Sequence, residues 1–171
     1  MKVKVWLRNI TTDVDFMLNL PVNNLNEILD KDCEYIITEC DVLSPSEFDS
    51  IHELNNFLEG CEQNGIDEET LEVLSAKYLY HEVIQIVNDG TFTIIDFDME
   101  TADWYGGSGG DLWRDTDKGM CLYDGNYYNP FQFDMSKEIY EWINWESVWI
   151  SAAIDGWKTV NVNRKHYLVH R

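Results

Sequence analysis

All thirty-two acidic residues of this chain lie between positions 11 and 160, and only six of its twelve basic residues share that stretch with them. The other six sit at the two ends: Lys2, Lys4 and Arg8, then Arg164, Lys165 and Arg171. The stretch 11–160 therefore carries −26, and the whole 171-residue chain −20. A segment like this offers no groove of clustered Lys and Arg, so recognition of nucleic acid through a basic surface is excluded. Anionic membrane surfaces repel it for the same reason. Apolar residues make up 44% and aromatics 13%, which separates the chain from acidic disordered tails.

No apolar run approaches the ~20 residues of a membrane span, and the opening MKVKVWLRN lacks the apolar centre of a secretory signal. The expected location is the cytoplasm. Cys33, Cys40, Cys61 and Cys121 are scattered without a CxxC pair, so reduced thiols are expected, with neither a zinc site nor a disulfide framework.

Hydrophobic spacing predicts an α+β chain of three small modules in an elongated row: 1–60, 61–90 and 91–171. Lys2–Arg8 alternates, with Val3, Val5 and Leu7 on one face, and pairs with Val14–Leu20 as a hairpin. Asn23 is placed to cap a short helix with Leu25, Ile28 and Leu29 inward. Glu34–Val42 reads as a strand. Ser44-Pro45-Ser46-Glu47 and Ser50-Ile51-His52-Glu53 both have the form of a capping box. The helix after Ser50 carries Ile51, Leu54, Phe57 and Leu58 on one side and is expected to stop at Gly60.

In the middle module Cys61–Ile66 reads as a loop. Asp67 then caps a helical stretch carrying Leu71, Leu74 and Tyr78, broken near Tyr80 and running to Val87. Asn88-Asp89-Gly90 is a stop. The third module begins with a strand at Thr91–Phe97. Tyr105–Gly110 (YGGSGG) reads as a flexible loop and Asp111–Tyr128 as irregular. Ser136 caps a helix with Ile139, Tyr140 and Ile143. Trp157–Val162 and His166–Val169 read as a closing hairpin. Six of the seven Trp lie in 104–157, which points to a packed core or an interface.

Local signatures of catalysis are missing. His52, His81, His166 and His170 have no G-x-S-x-G or comparable motif beside them. YGGSGG lacks the G-K-[ST] ending of a phosphate loop. Asp96, Asp98 and Glu100, and Asp111, Asp115 and Asp117, are oxygen-rich. Neither fits a twelve-residue calcium frame, because Thr101 or Met120 falls at the sixth position and Gly107 or Asn126 at the twelfth. No metal, cofactor or catalytic residue is expected.

What remains is a collective property. Duplex DNA carries one charge per ~1.7 Å of axis, so −20 corresponds to about 34 Å of duplex. Carboxylates held on regular structure present a DNA-like field to a basic groove. The candidate phosphate-mimicking residues are Glu68, Glu69, Glu72, Asp96, Asp98, Glu100, Asp103, Asp111, Asp115 and Asp117. Glu138, Glu141, Glu146 and Asp155 extend the row. Trp142, Trp145 and Trp149 belong to a core or to a self-association surface.

Four blocks of sequence add to this. Glu34-Tyr35-Ile36-Ile37-Thr38-Glu39-Cys40-Asp41, then Phe48-Asp49-Ser50-Ile51-His52-Glu53-Leu54-Asn55, resembles the N-terminal signature of the ArdA antirestriction proteins, and Leu20-Pro21 before a short helix fits it. Tyr140-Glu141-Trp142-Ile143-Asn144-Trp145-Glu146-Ser147 and Ile154-Asp155-Gly156-Trp157 look like the family's C-terminal stretch. Val148-Trp149-Ile150-Ser151 departs from the Y-G-R-D-L that usually continues it. The resemblance implies a homodimeric DNA mimic, built from three small domains per subunit, that occupies the DNA-binding groove of Type I restriction-modification enzymes. Rival readings are a DNA mimic aimed at a CRISPR nuclease or a nucleoid protein, and a small metal-dependent hydrolase using 96–117. A mimic binds no nucleic acid itself and is no enzyme.

Overall fold

Strand β1 (Val3–Asn9) buries Val3, Val5 and Leu7 completely and leaves Lys4 and Arg8 in water, the two-residue alternation of a half-buried strand. Strand β2 (Val14–Leu20) pairs with it antiparallel, Val3 opposite Leu20 and Asn9 opposite Val14. The turn between them is built by Asn9, whose Oδ1 accepts from the backbone N–H of Thr11 and Thr12 at 2.9 and 3.1 Å. This side chain closing on its own backbone is why an Asn sits there. Strand β3 (Tyr35–Cys40) covers the other edge of β1, with a register shift between Trp6 and Leu7, so the sheet order is β2-β1-β3.

The computed structural model describes residues 1–97, 103–107, 110–115, 120–123, 126–128, 156 and 158–171. The chain is of the α+β class and divides into two compact units, Met1–Gly90 and Thr91–Arg171. Residues 61–90 fall in the first of them.

Helix α1 (Leu25–Ile28) follows the first hairpin. Asn24, not Asn23, stands at its N-cap, and its side chain makes no capping bond. Leu25 and Leu29 are buried, but Ile28 is 47% exposed. A single helical turn points only part of its circumference inward, and Ile28 falls on the far side.

Helix α2 (Ile51–Gln63) packs against β2 and β3 and buries Ile51, Leu54, Phe57, Leu58 and Cys61. Ser50 Oγ accepts from the Glu53 N–H at 3.4 Å. The earlier capping box starts no helix. Asp49 Oδ2 takes both the backbone N–H and the hydroxyl of Ser46, at 2.6 and 2.9 Å, so the residues after the expected cap Ser44 close a turn rather than a first helical turn. Gly60 does not stop α2 either. Cys61 continues the buried stripe one turn further, and that anchor outweighs the ~1 kcal/mol that a mid-helix glycine costs. The end comes at Gly65, at φ 72°, where the Ile66 N–H reaches back to the Cys61 carbonyl at 2.9 Å. Residues 61–63 are thus helix where a loop was expected.

Helix α3 (Glu68–Ser75) is capped by Asp67, whose Oδ1 accepts from the Thr70 N–H at 2.8 Å. Helix α4 (Tyr80–Asp89) starts where Glu82 returns its carboxylate to the Leu79 N–H at 2.9 Å, and it ends on left-handed Gly90. Leu71, Val73, Leu74, Val83 and Ile86 are wholly buried and make the α3–α4 contribution to the core. Asn55, itself 5% exposed, ties α2 to the segment after β2 through Val22.

In the second unit β4 (Thr93–Phe97), β9 (Lys158–Val162) and β10 (Lys165–His170) form an antiparallel sheet of order β4-β10-β9. Tyr167, Leu168 and Val169 on the central strand are buried in succession, so both faces of β10 are covered. Asn163 and Arg164 connect β9 to β10 with φ of 51° and 66°, the two left-handed residues of a tight hairpin turn.

A second sheet is a meander of β5 (Asp103–Gly107), β6 (Gly110–Asp115), β7 (Met120–Tyr123) and β8 (Asn126–Tyr128). Over the described residues this corrects the reading of 105–110 as a loop and of 111–128 as irregular. Gly107 pairs with Gly110, and Trp104 stands opposite Trp113 in the same register. The glycines at 106, 107 and 110 lie within the paired strands, and the aromatic and apolar positions beside them supply the ladder. The helix expected after Ser136 lies outside the described residues.

Candidate functional site

The first unit concentrates the charge. Its ninety residues hold nineteen acids against five Lys and Arg, a net −14, leaving −6 for the remainder. None of the nineteen is buried. Five bases cannot neutralise nineteen carboxylates, so most of this charge faces solvent. By the measure of duplex charge density, −14 matches about 24 Å of DNA axis.

Regular structure holds many of these carboxylates in place. On α3 the Asp67 cap fixes the helix start. Glu68 and Glu69 occupy its first turn, where the helix dipole favours anions. Glu72 lies one turn beyond Glu68, about 6 Å along the axis. Glu68 is exposed, Glu69 and Glu72 are half-buried, and the opposite face is sealed by Leu71 and Leu74. These three predicted residues are brought together as one acidic face.

The others are placed separately. Asp96 is exposed on β4, opposite Tyr167. Asp103 begins β5 opposite Arg114, Asp111 stands on β6 opposite Gly106, and Asp115 ends β6 opposite Met120. Asp98, Glu100, Asp117, Glu138, Glu141, Glu146 and Asp155 lie outside the described residues, as do Trp142, Trp145 and Trp149. So do residues 98–102, 108–109 and 116–117 of the region considered for a metal. Among the described residues no three His, Cys, Asp or Glu converge to hold a metal ion.

Sequence reasoning passed over the carboxylates on the turns of the first unit. Asp30, Asp32 and Glu34 crowd the α1–β3 connection, and Glu39 and Asp41 lie on and just after β3, all exposed. Their signal was the acid density of residues 1–90 itself. Some are organised by their surroundings. Arg8 binds Asp15 through two contacts, Nε–Oδ1 2.7 Å and Nη2–Oδ2 3.0 Å. That hydrogen-bonded guanidinium holds the Asp15 carboxyl below its ordinary value. Asp41 Oδ1 accepts from the Lys4 backbone N–H at 3.0 Å. Asp49 Oδ1 meets His81 Nε2 at 3.0 Å.

Cys40 and Cys61 are poor nucleophiles. Cys33, Cys40 and Cys61 are free, burial pushes Cys61 up to about 11, and desolvation raises Cys40 in the same direction. Both are protonated at neutral pH, and the thiolate is the reactive form. Among the described residues no helix is long and apolar enough to cross a membrane.

No family model, no curated protein and no solved structure matches the chain. The two N-terminal blocks that resemble ArdA map onto β3 and onto the turn and first helical turns of α2. Of the C-terminal blocks only Gly156, at φ 99°, is among the described residues.

Proposed function

We propose that this protein is an antirestriction DNA mimic that occupies the DNA-binding groove of a Type I restriction-modification enzyme. The observation that carries the proposal is the first unit: −14 over ninety residues, no acid buried, with carboxylates seated on a capped helix, on strands and on braced turns. A basic cleft that reads duplex DNA through its phosphates meets here a comparable density of fixed negative charge. Long-range attraction then speeds encounter, and local pairing with Lys and Arg of the cleft holds the complex. The likeness of residues 34–41 and 48–55 to ArdA supports the same reading and supplies the target class.

On this reading the protein acts in the cytoplasm as a homodimer, binds neither nucleic acid nor metal, and turns over no substrate. Its working groups are Glu68, Glu69, Glu72 and Asp96, the aspartates of β5 and β6, and the exposed carboxylates of the first unit. The test is displacement. A Type I methyltransferase core is bound to labelled duplex and the protein is titrated in. Release of the duplex at near-stoichiometric protein is the expected result. Retention of the duplex at large excess removes this target class.

A further inference from the structure

A groove of about 490 Å³ opens in the first unit between the α1–β3 connection and the start of α2. Its walls include Asp30, Lys31, Glu34, Tyr35, Glu47 and Phe48. Phe48 is 90% exposed. Leaving a phenyl ring in water forgoes about 2–3 kcal/mol of burial, and this ring is not on slack chain. The residue after it, Asp49, takes two hydrogen bonds from Ser46 and pairs with His81 on α4. A braced turn therefore holds the ring out.

Tyr35 is equally fixed. Its hydroxyl accepts from the Asp30 N–H at 3.0 Å, and its ring packs edge-on against Phe16 at 5.8 Å. The carboxylates of Glu34 and Glu47 are exposed, and among the described residues neither has a hydrogen-bond or ion-pair partner. The α2 N-terminus contributes roughly half a positive charge. Four acids line the groove against one Lys, so its field remains negative.

Two aromatic rings beside unpaired carboxylates is the chemistry that recognises a guanidinium. Arginine is planar and weakly hydrated, stacks on rings and bonds carboxylates in pairs, whereas a lysine ammonium is a strongly hydrated point charge. We propose that this groove docks an arginine side chain from a basic segment of the partner protein. The inference rests on the reading of the partner as a DNA-binding enzyme, whose cleft displays such arginines. Charge complementarity selects this occupant: a second copy of this chain would bring a further −14 surface to the same place. The groove's size lies within the range of ordinary side-chain and ligand sites.

The test uses the full chain, isotopically labelled, titrated with a short Gly/Arg peptide and with its Gly/Lys counterpart while amide shifts are followed. Shifts centred on 31–35 and 47–50, with the Arg peptide bound at least about threefold tighter, are expected. Phe48→Ala removes an exposed ring and leaves the core intact. It is expected to weaken Arg-peptide binding about threefold to fivefold, the size of a partly exposed cation–π contact, and to abolish the preference over Lys. Glu47→Gln weakens both peptides. Shifts spread over the acidic surface without these residues, or an Arg preference surviving in Phe48→Ala, overturn the proposal. Duplex displacement separates the two readings. A variant that loses the Arg preference but still displaces duplex as well as the parent removes the groove from the contact and leaves mimicry standing. Failure of the parent to displace duplex removes the target class, while the peptide result still decides the groove.

Discussion

Asn55 and Val22 exchange two hydrogen bonds: the Val22 N–H donates to Asn55 Oδ1 at 2.8 Å, and Asn55 Nδ2 donates to the Val22 carbonyl at 3.1 Å. A side-chain amide on α2 thereby substitutes for a strand partner of the segment leaving β2. Asn55 is 5% exposed, so water cannot replace it. Asn55→Ala leaves a backbone N–H and C=O unsatisfied and is expected to cost about 2–6 kcal/mol at roughly 1–3 for each orphaned group. Urea unfolding checks this. A change under 0.5 kcal/mol would show that the segment finds other partners.

Tyr80 carries the opposite sign. Its hydroxyl is buried and, among the described residues, makes no hydrogen bond, and burial pushes its pKa up. Tyr80→Phe removes a desolvated polar atom while keeping the ring, so thermal unfolding should show equal or higher stability, by up to about 1 kcal/mol. A loss beyond 1 kcal/mol contradicts the assignment.

Asp15 reports on the Arg8 contact. Because the guanidinium lowers its pKa in the folded chain, its contribution to stability is present above the unfolded value. It is lost as the pH falls through the folded value. A carboxyl titration by NMR should place Asp15 below its ordinary value, and Arg8→Gln should return it there. Both side chains are solvent-exposed, so Arg8→Gln should leave thermal stability nearly unchanged.

The β9–β10 turn places Arg164 at φ 66°, a conformation that strains a side-chain-bearing residue by about 1–2 kcal/mol. Asn163 tolerates that region well. Arg164→Gly, producing the Asn-Gly pair that two-residue hairpins favour, should raise stability by about 0.5–1 kcal/mol after the added freedom of the unfolded chain is counted. A fall in melting temperature would mean that the Arg164 side chain is engaged.

Much of this architecture was legible in residue spacing. The alternation of Val3, Val5 and Leu7 and the run Val14–Leu20 specify a hairpin, and Ser50, Asp67 and Gly90 mark helix ends because their side-chain or backbone chemistry is local. Reading failed where a tertiary contact outweighed a local signal. Ser44 looks like a cap until Asp49 ties Ser46 into a turn instead of a first helical turn. Gly60 looks like a stop until Cys61 finds the core. YGGSGG looks like slack chain until the register of its flanking strands is known. For the site, Glu68, Glu69 and Glu72 were identifiable from helical spacing. Asp30 and Glu34 were not, because one acid on a turn resembles any other until the fold brings it beside Phe48 and Tyr35.

The most direct measurement of the central claim is the salt dependence of duplex displacement from a Type I methyltransferase core. With charge distributed over nineteen exposed or half-buried carboxylates in the first unit, affinity should fall at least about tenfold between ~50 and ~200 mM salt. Glu68→Gln, Glu69→Gln and Glu72→Gln should each cost less than about threefold and together more. A salt-independent affinity, or one carboxylate whose loss abolishes displacement, would contradict mimicry by a distributed surface.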